Sequence, residues 1–423
     1  MTYDEALNYI HDPRYHGSRR GLDRVRELLR LAGDPHKKLK YVHVAGTNGK
    51  GSISACIAKI LEMSGCKTGL YTSPYITRYN ERMQINGNEV SDGDIATLTE
   101  FLAPLADSME DHPSEFEFGT ALAFLYFARE NCDIVVLEVG MGGEFDATNV
   151  IDAPLVTVFA AIGLDHTQYL GETLPEIAAT KGRIIKKGTQ VVSFCQQTQV
   201  KAVLDGIAAS EDTEITYLDK NDVTDMSLSL DGSRFKYKGE KYVLPLCGAY
   251  QPYNASTAII AAKKLQNMGF NIDDGVIKSA LAEVYWPGRF EVLSKKPVII
   301  IDGAHNPHGV KAALEGTDAL FPDRKIKFIM GVMADKDYSD MLEMLIPRAE
   351  SFITLTPDNP RAMPADKLAE KIASMGGKAR AFESIDGGIE YAVSHAKDGD
   401  IIVALGSLYF SSDVKRAFLK RIK

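Results

Sequence analysis

The sequence predicts an α/β protein in two domains: a mainly parallel sheet with a small antiparallel patch, then a smaller domain of alternating strands and helices. Three observations predict it. Short β-branched runs alternate with amphipathic segments through the first half, residues 226–246 switch to apolar–polar alternation around turn pairs, and the strand–helix rhythm resumes from residue 297. A chain of 423 residues is also long for one core, and with 45% hydrophobic and 25% charged residues it is ordinary globular material for two.

The first strand is YVHVAG at 41–46, followed by a helix in which Ile53, Cys56, Ile57, Ile60 and Leu61 recur at helical spacing and Gly65 is placed to end it. One face of that helix should pack on the sheet. Further strands are TGLYT, DIVVLEVG at 133–140 and LVTVFAAIG at 155–163, a βαβ rhythm that argues for parallel pairing. Within 226–246, Asp231-Gly232 and Lys238-Gly239 are hairpin signals. A helical stretch around 254–285 leads to Trp286-Pro287-Gly288-Arg289, a punctuated segment that sets the domain boundary: 1–290, then 291–423. Beyond it come PVIIIDGAHN, a helix through about 321, KIKFIMGV, a helix, SFITLT, a helix, DIIVALGS and a terminal helix.

Composition removes several function classes. No apolar stretch is long enough to span a bilayer, and MTYDEALNYI has neither the basic nor the apolar region of a secretory signal, so a cytoplasmic protein without a membrane partner is expected. Five scattered cysteines, none in C-x-x-C spacing, give no support to disulfides or zinc. A net charge of −9 disfavours nucleic acid as a partner, and a monomer is the default.

The strongest local signal is VHVAGTNGKGS at 42–52. A buried strand, a glycine-rich turn and a helix N-terminus together turn backbone N–H groups toward phosphate oxygens. Gly46, Gly49 and Gly51 allow close backbone approach, and Lys50 can neutralise β/γ-phosphate charge. The general G-x-x-x-x-G-K-[ST] pattern is not met, because Val44 occupies its first glycine and Gly51 stands where a hydroxyl should follow the lysine. The first domain is thus P-loop NTPase-like with a shortened loop. Glu138 ends an apolar strand, where a carboxylate reaches the ligand edge of a parallel sheet and suits Mg²⁺. Asp302 and His305 follow the first strand of the second, Rossmann-like domain, again at a strand end. Arg82 carries a guanidinium able to bind an oxyanion bidentately.

GTNGKGS at 46–52, Tyr71-Thr72-Ser73-Pro74, Asn80-Glu81-Arg82 with Ile85-Asn86-Gly87, and Leu137-Glu138-Val139-Gly140 with Asp146-Ala147-Thr148-Asn149 form an ordered set. Asp165-His166, Lys181, Pro287-Gly288-Arg289-Phe290-Glu291 and Ile301-Asp302-Gly303-Ala304-His305-Asn306-Pro307 continue it across essentially the whole chain. In that order they resemble the bifunctional folylpolyglutamate synthase/dihydrofolate synthase family of the Mur-ligase superfamily. The resemblance implies that Gly46, Thr47, Asn48, Gly49, Lys50, Gly51 and Ser52 hold ATP phosphates, and that Asn254, Arg289, Asp302 and His305 complete the ATP site. It implies Ser73, Glu138 and His166 as Mg²⁺ ligands for two ions, with K⁺ a candidate further ion. Lys181 resembles a lysine carbamylated by CO₂, which exchanges a cation for an anion. Arg82 and Phe116 become substrate contacts.

Two departures stand out. Thr180-Lys181-Gly182-Arg183 replaces the Glu-Lys-Ala-Gly of many relatives, and Tyr250 replaces the histidine common before Gln251. Taken singly, Ser73 reads as a turn residue, His166 as a capping histidine, Lys181 as a solvated helix lysine, Asp302 as a turn aspartate, and Arg82 and Arg289 as surface cations. The implied reaction is transfer of the ATP γ-phosphoryl group to the carboxylate of a folate or dihydropteroate, then attack by the amine of L-glutamate, with Lys50, His166 and Lys181 as catalytic residues. Activity on one acceptor only, a sister ligase for a UDP-linked precursor, and an ATP-binding regulatory module are the alternatives. The ~40 residues before the loop are too few for the nucleotide-sugar domain of a sister ligase.

Overall fold

The structure is a computed structural model that describes residues 1–17, 20–334, 338–359 and 361–421. The chain forms two compact units, Met1–Asp222 with Tyr253–Leu281, and Val223–Pro252 with Ala282–Lys423. Where the sequence suggests one boundary after residue 290, the chain therefore crosses three times. The physical reason lies in the antiparallel patch: Leu230 and Cys247 pack with Phe290, Val298 and Phe328 in the second core.

In the first unit, β1 (Tyr41–Ala45), β2 (Thr68–Tyr71), β3 (Met83–Ile85), β4 (Asn88–Glu89), β5 (Ile134–Glu138), β6 (Val156–Phe159), β7 (Gln190–Ser193) and β8 (Ile215–Tyr217) form one sheet. Their order is β4-β3-β2-β5-β1-β6-β7-β8, parallel from β2 to β8, with β3 and β4 an antiparallel edge. β1 and β5 are buried along their whole length, as strands covered on both faces must be. One core gathers Phe118, Phe124 and Phe127 of the helix Glu115–Arg129 with Leu98 and Leu102 of Asp92–Asp107 and Leu28 and Leu29 of Asp23–Leu31. A second gathers Ile177 of Leu174–Gly182 and Leu204 of Thr198–Ser210 against Ala45 and Phe159.

The helix after β1 runs Lys50–Met63 and Gly65 follows in the left-handed region, as the spacing predicts. Burial extends beyond the face expected to pack on the sheet: Ser54, Ala55 and Ala58 are buried as well as Ile53, Ile57 and Ile60. Small residues on that second face let a further layer approach.

In the second unit, β9 (Val223–Ser229), β10 (Gly232–Tyr237) and β11 (Glu240–Leu244) form the predicted antiparallel patch, with Lys238 and Gly239 both at positive φ in the second turn. A six-stranded sheet follows: β12 (Glu291–Lys295), β13 (Val298–Ile301), β14 (Ile326–Met330), β15 (Ala349–Thr354), β16 (Ala379–Ala381) and β17 (Ile401–Leu405). Its order is β12-β13-β17-β14-β15-β16, parallel except for β12. Alternate residues feed two cores, Ile300, Phe328 and Val403 into one and Ile299, Ile329 and Ile402 into the other, so helices cover both faces. Among the described residues, no helix is long and apolar enough to cross a membrane.

Candidate active site

Four adjacent strands of the first unit, β2, β5, β1 and β6, point their C-terminal ends the same way, and each leads into a sequence-predicted site segment. β1 delivers the glycine loop. Thr47 and Asn48 donate backbone N–H groups to Ala161 O at 2.8 and 3.2 Å, and the Thr47 hydroxyl donates to Gly163 O at 3.0 Å, which ties the loop to the segment after β6. Gly49 is the N-cap of the helix Lys50–Met63, at φ 92°, and has no side chain with which to cap that helix. A Cβ at Gly49 would also lie 2.7 Å from Asn254 Oδ1, so glycine is required here twice over, by conformation and by space. Asn254 is thereby located beside the loop. Lys50 Nζ donates to Thr47 O at 3.3 Å, curled over the turn.

Glu138 is the last residue of β5, opposite Val44 in register, and is buried. It accepts the backbone N–H of Ser73 at 3.2 Å, which holds the Ser73 turn of β2 against it. His166 lies beyond β6, exposed, at φ 50°, with Nε2 3.9 Å from Asp165 Oδ1. Lys181 is the largest departure from its plain reading as a solvated lysine: it is buried, and Nζ donates to Gly46 O at 2.9 Å, 135 residues away in sequence. Burial first, and the charge of Lys50 second, bring its pKa down to about 7, with Asp165 and Asp146 pulling the other way.

Phe116, in the first turn of the helix Glu115–Arg129, lies against Gly140, just past Glu138, where any Cβ would collide with its ring. Arg82 is stacked by two rings, 5.3 Å from the Tyr75 centroid and 5.4 Å from that of Tyr79, and is not a solvated surface cation.

Sequence reasoning missed a buried polar chain under these residues. Asp146 accepts from Met141 N at 2.8 Å, Thr148 N at 3.0 Å and the Thr148 hydroxyl at 2.5 Å, and His43 Nε2 lies 2.9 Å from that same hydroxyl. Because the Thr148 proton goes to Asp146, His43 Nε2 must be the donor. Burial, then Lys186, lowers the His43 pKa to about 3, so the ring is neutral. The signals were present: Asp-x-Thr is an Asx-turn pattern, and one histidine interrupts an apolar strand.

In the second unit, Asp302 follows β13 and is buried. It accepts Phe290 N at 2.8 Å, Ala304 N at 2.7 Å and the Tyr250 hydroxyl at 3.2 Å. Burial raises its pKa while the Arg289 guanidinium opposes that rise. His305 Nδ1 pairs with Gly303 O at 2.8 Å.

A strand-end carboxylate, a phosphate-type loop and a buried lysine gathered on one sheet edge, with a second doubly wound unit, define a ligase of the Mur type. Residues 44–262 match the model of the Mur ligase middle domain and residues 288–408 that of the Mur ligase, glutamate ligase domain, and the chain is an ATP-dependent ligase of that family. More narrowly, it belongs to the dihydrofolate synthase/folylpolyglutamate synthase family. It is 35% identical to the dihydrofolate synthase/folylpolyglutamate synthase of Bacillus subtilis (strain 168), over 98% of this chain and 99% of that protein. It is likewise 35% identical to the folylpolyglutamate synthase of Lacticaseibacillus casei, over 99% of each. A solved FPGS–AMPPCP–folate complex matches with TM-score 0.87 and 34% identity, over 99% of this chain and 100% of that one.

Proposed function

We propose that this chain activates the carboxylate of a folate-type acid with ATP and joins L-glutamate to it, accepting both tetrahydrofolates and dihydropteroate. The γ-phosphoryl group passes to the acceptor carboxylate, forming a C–O–P linkage as the bond to ADP breaks. The glutamate amine then attacks the acyl carbon, giving an amide and phosphate. No enzyme nucleophile is needed. The loop amides from Gly49 onward and Lys50 stabilise charge on the transferring group, and Asn254 lies beside the same loop. Arg289, Asp302 and His305 are the second unit's nucleotide-directed residues.

Mg²⁺ fits the donors present. Glu138 and Ser73 offer a carboxylate and a hydroxyl held together by the Ser73 N–H, with His166 assigned to a second ion. Among the described residues no three His, Cys, Asp or Glu side chains form a cage, which suits an ion that keeps water and substrate phosphates as ligands. When bound, the metal would neutralise phosphate charge. Arg82 and Phe116 are assigned to the acceptor. A cytoplasmic monomer is the working form.

Lys181 is the observation that carries the reading from ATP binding to ligation. CO₂ adds only to a neutral amine, and a buried lysine with a pKa of about 7 beside the phosphate loop supplies one, so that carbamylation would exchange a buried cation for an anion. ADP release, measured with and without glutamate in the presence of dihydropteroate or tetrahydrofolate, tests the function. Glutamate-dependent release with both acceptors is expected. Release with one alone would make the enzyme monofunctional, and release with neither would end the ligase reading.

A further inference from the structure

The surroundings of Tyr250 in the second unit give it a task. Its ring packs on Gly248, which is at φ 112° and whose absent Cβ would lie 3.1 Å from the ring. Its hydroxyl donates to Asp302 Oδ2 at 3.2 Å. The same oxygen accepts the N–H of Phe290 at 2.8 Å, and the other carboxylate oxygen accepts that of Ala304 at 2.7 Å. One buried carboxylate therefore joins three segments: the segment that follows β11, the turn before β12 and the turn after β13.

The two turns need such a fastening. Phe290 holds φ 51°, a left-handed conformation that costs a bulky residue energy unless its surroundings enforce it. Its amide is pinned by Asp302, and its ring fills the space left by Gly316 of the helix Pro307–Leu320. Gly303 N donates to Gly288 O at 2.9 Å, so the turns are also joined directly. Arg289 precedes Phe290 in one turn, and His305 follows Ala304 in the other. A shift of the Asp302 carboxylate moves both.

We propose that Tyr250 is a positioning residue for nucleotide use: its hydroxyl fixes the Asp302 carboxylate, and through it the turns that carry Arg289 and His305. This inference deepens the ATP-ligase reading and rests on it for the roles of Arg289 and His305. Removing the hydroxyl deprives a buried carboxylate of one of its three donors, while a phenylalanine ring preserves the packing on Gly248.

The test compares wild type, Tyr250→Phe and Tyr250→His as full-length proteins. KM is measured for ATP, glutamate and folate acceptor separately, with melting temperature and the calorimetric Kd for Mg·ATP alongside. Tyr250→Phe should weaken ATP binding and raise its KM about tenfold, the effect of one hydrogen bond to a charged group, with the KM for glutamate changed less than about twofold. Tyr250→His, whose imidazole N–H is again a donor, should recover most of that loss. Adding Asp302→Asn to Tyr250→Phe should cost less than Asp302→Asn alone, because the two act as a unit. A lowered melting temperature with an unchanged ATP KM and Kd would reduce Tyr250 to a packing residue and overturn the proposal. So would equal losses for every substrate, or no recovery with histidine. If wild type ligates no acceptor, the ligase reading fails on its own, and the Kd for Mg·ATP still decides the role of Tyr250.

Discussion

Each unit turns from a buried strand into a helix through a glycine-containing loop, and the two turns spend their backbone donors differently. After β1, Gly49 is the N-cap of the helix Lys50–Met63 in a left-handed conformation and has no side chain with which to cap it. After β13, Asn306 accepts the N–H of Gly309 at 2.7 Å, Pro307 removes another donor, and Asp302 takes that of Ala304. The first helix start is thus not capped by its own N-cap residue and suits an anion, whereas the second is capped by Asn306. This difference supports the proposed assignment of phosphate to the first turn, while the turns of the second unit are held by the Asp302 carboxylate.

The hardest test of that assignment is Lys50→Ala. Loss of the loop cation should lower kcat for ligation by about 10³-fold with the fold intact by circular dichroism. Ligation within tenfold of wild type would mean that the first turn is not the phosphate site. Next, Lys181→Ala should cost about 10²-fold, a size typical of one lost electrostatic contact in the reacting site. Wild-type protein under ¹³C-labelled CO₂ should give a carbamate resonance that the variant lacks. Its pH dependence follows in sign: the amine is protonated below its pKa of about 7 and neutral above it, so carbamate should grow as pH rises through that value at fixed dissolved CO₂. A signal absent on both sides of that pH would remove the carbamate. Gly49→Ala comes third. It requires a left-handed alanine whose Cβ lies 2.7 Å from Asn254 Oδ1, so ATP affinity should fall about tenfold and stability by about 1–3 kcal/mol, read by calorimetry and urea unfolding.

Most of the frame is legible in the sequence because parallel strands buried on both faces read as apolar runs. β1, β5, β6, β13 and β17 all do so. Polar edges do not. The hairpin of β3 and β4 carries its signal in Asn86-Gly87, both at positive φ, but its strands are too short to alternate visibly. β16 and the helix Ile385–Ser394 were likewise hidden, the strand because Ala-Arg-Ala is short and mostly exposed at the sheet edge. At the site, ordered motifs mark the loop, Ser73, Glu138 and Lys181, yet composition cannot report that Lys181 is buried, since that depends on Gly46 O meeting it from 135 residues away. The chain of His43, Thr148 and Asp146 escaped for the same reason: His43 in β1 and Thr148 are 105 residues apart, and only contact makes three ordinary residues a network.

The smallest expected effect bears on the capped turn. Asn306→Ala removes the side-chain oxygen that caps the helix Pro307–Leu320, leaving the Gly309 amide without that acceptor. Such caps contribute about 1 kcal/mol, which for a unit of this size lowers the melting temperature by roughly 2–4 °C. Because the oxygen caps the helix's own amide, Mg·ATP affinity measured well below the melting temperature should stay within about twofold of wild type. The contrast with Gly49→Ala is the point of the measurement. Both changes add or remove little at a helix start, but one alters the end proposed to hold phosphate and the other an end capped by Asn306. An Asn306→Ala protein that lost ATP affinity as severely as Gly49→Ala would show that the second turn also binds phosphate, and the assignment of phosphate to the first unit alone would fall.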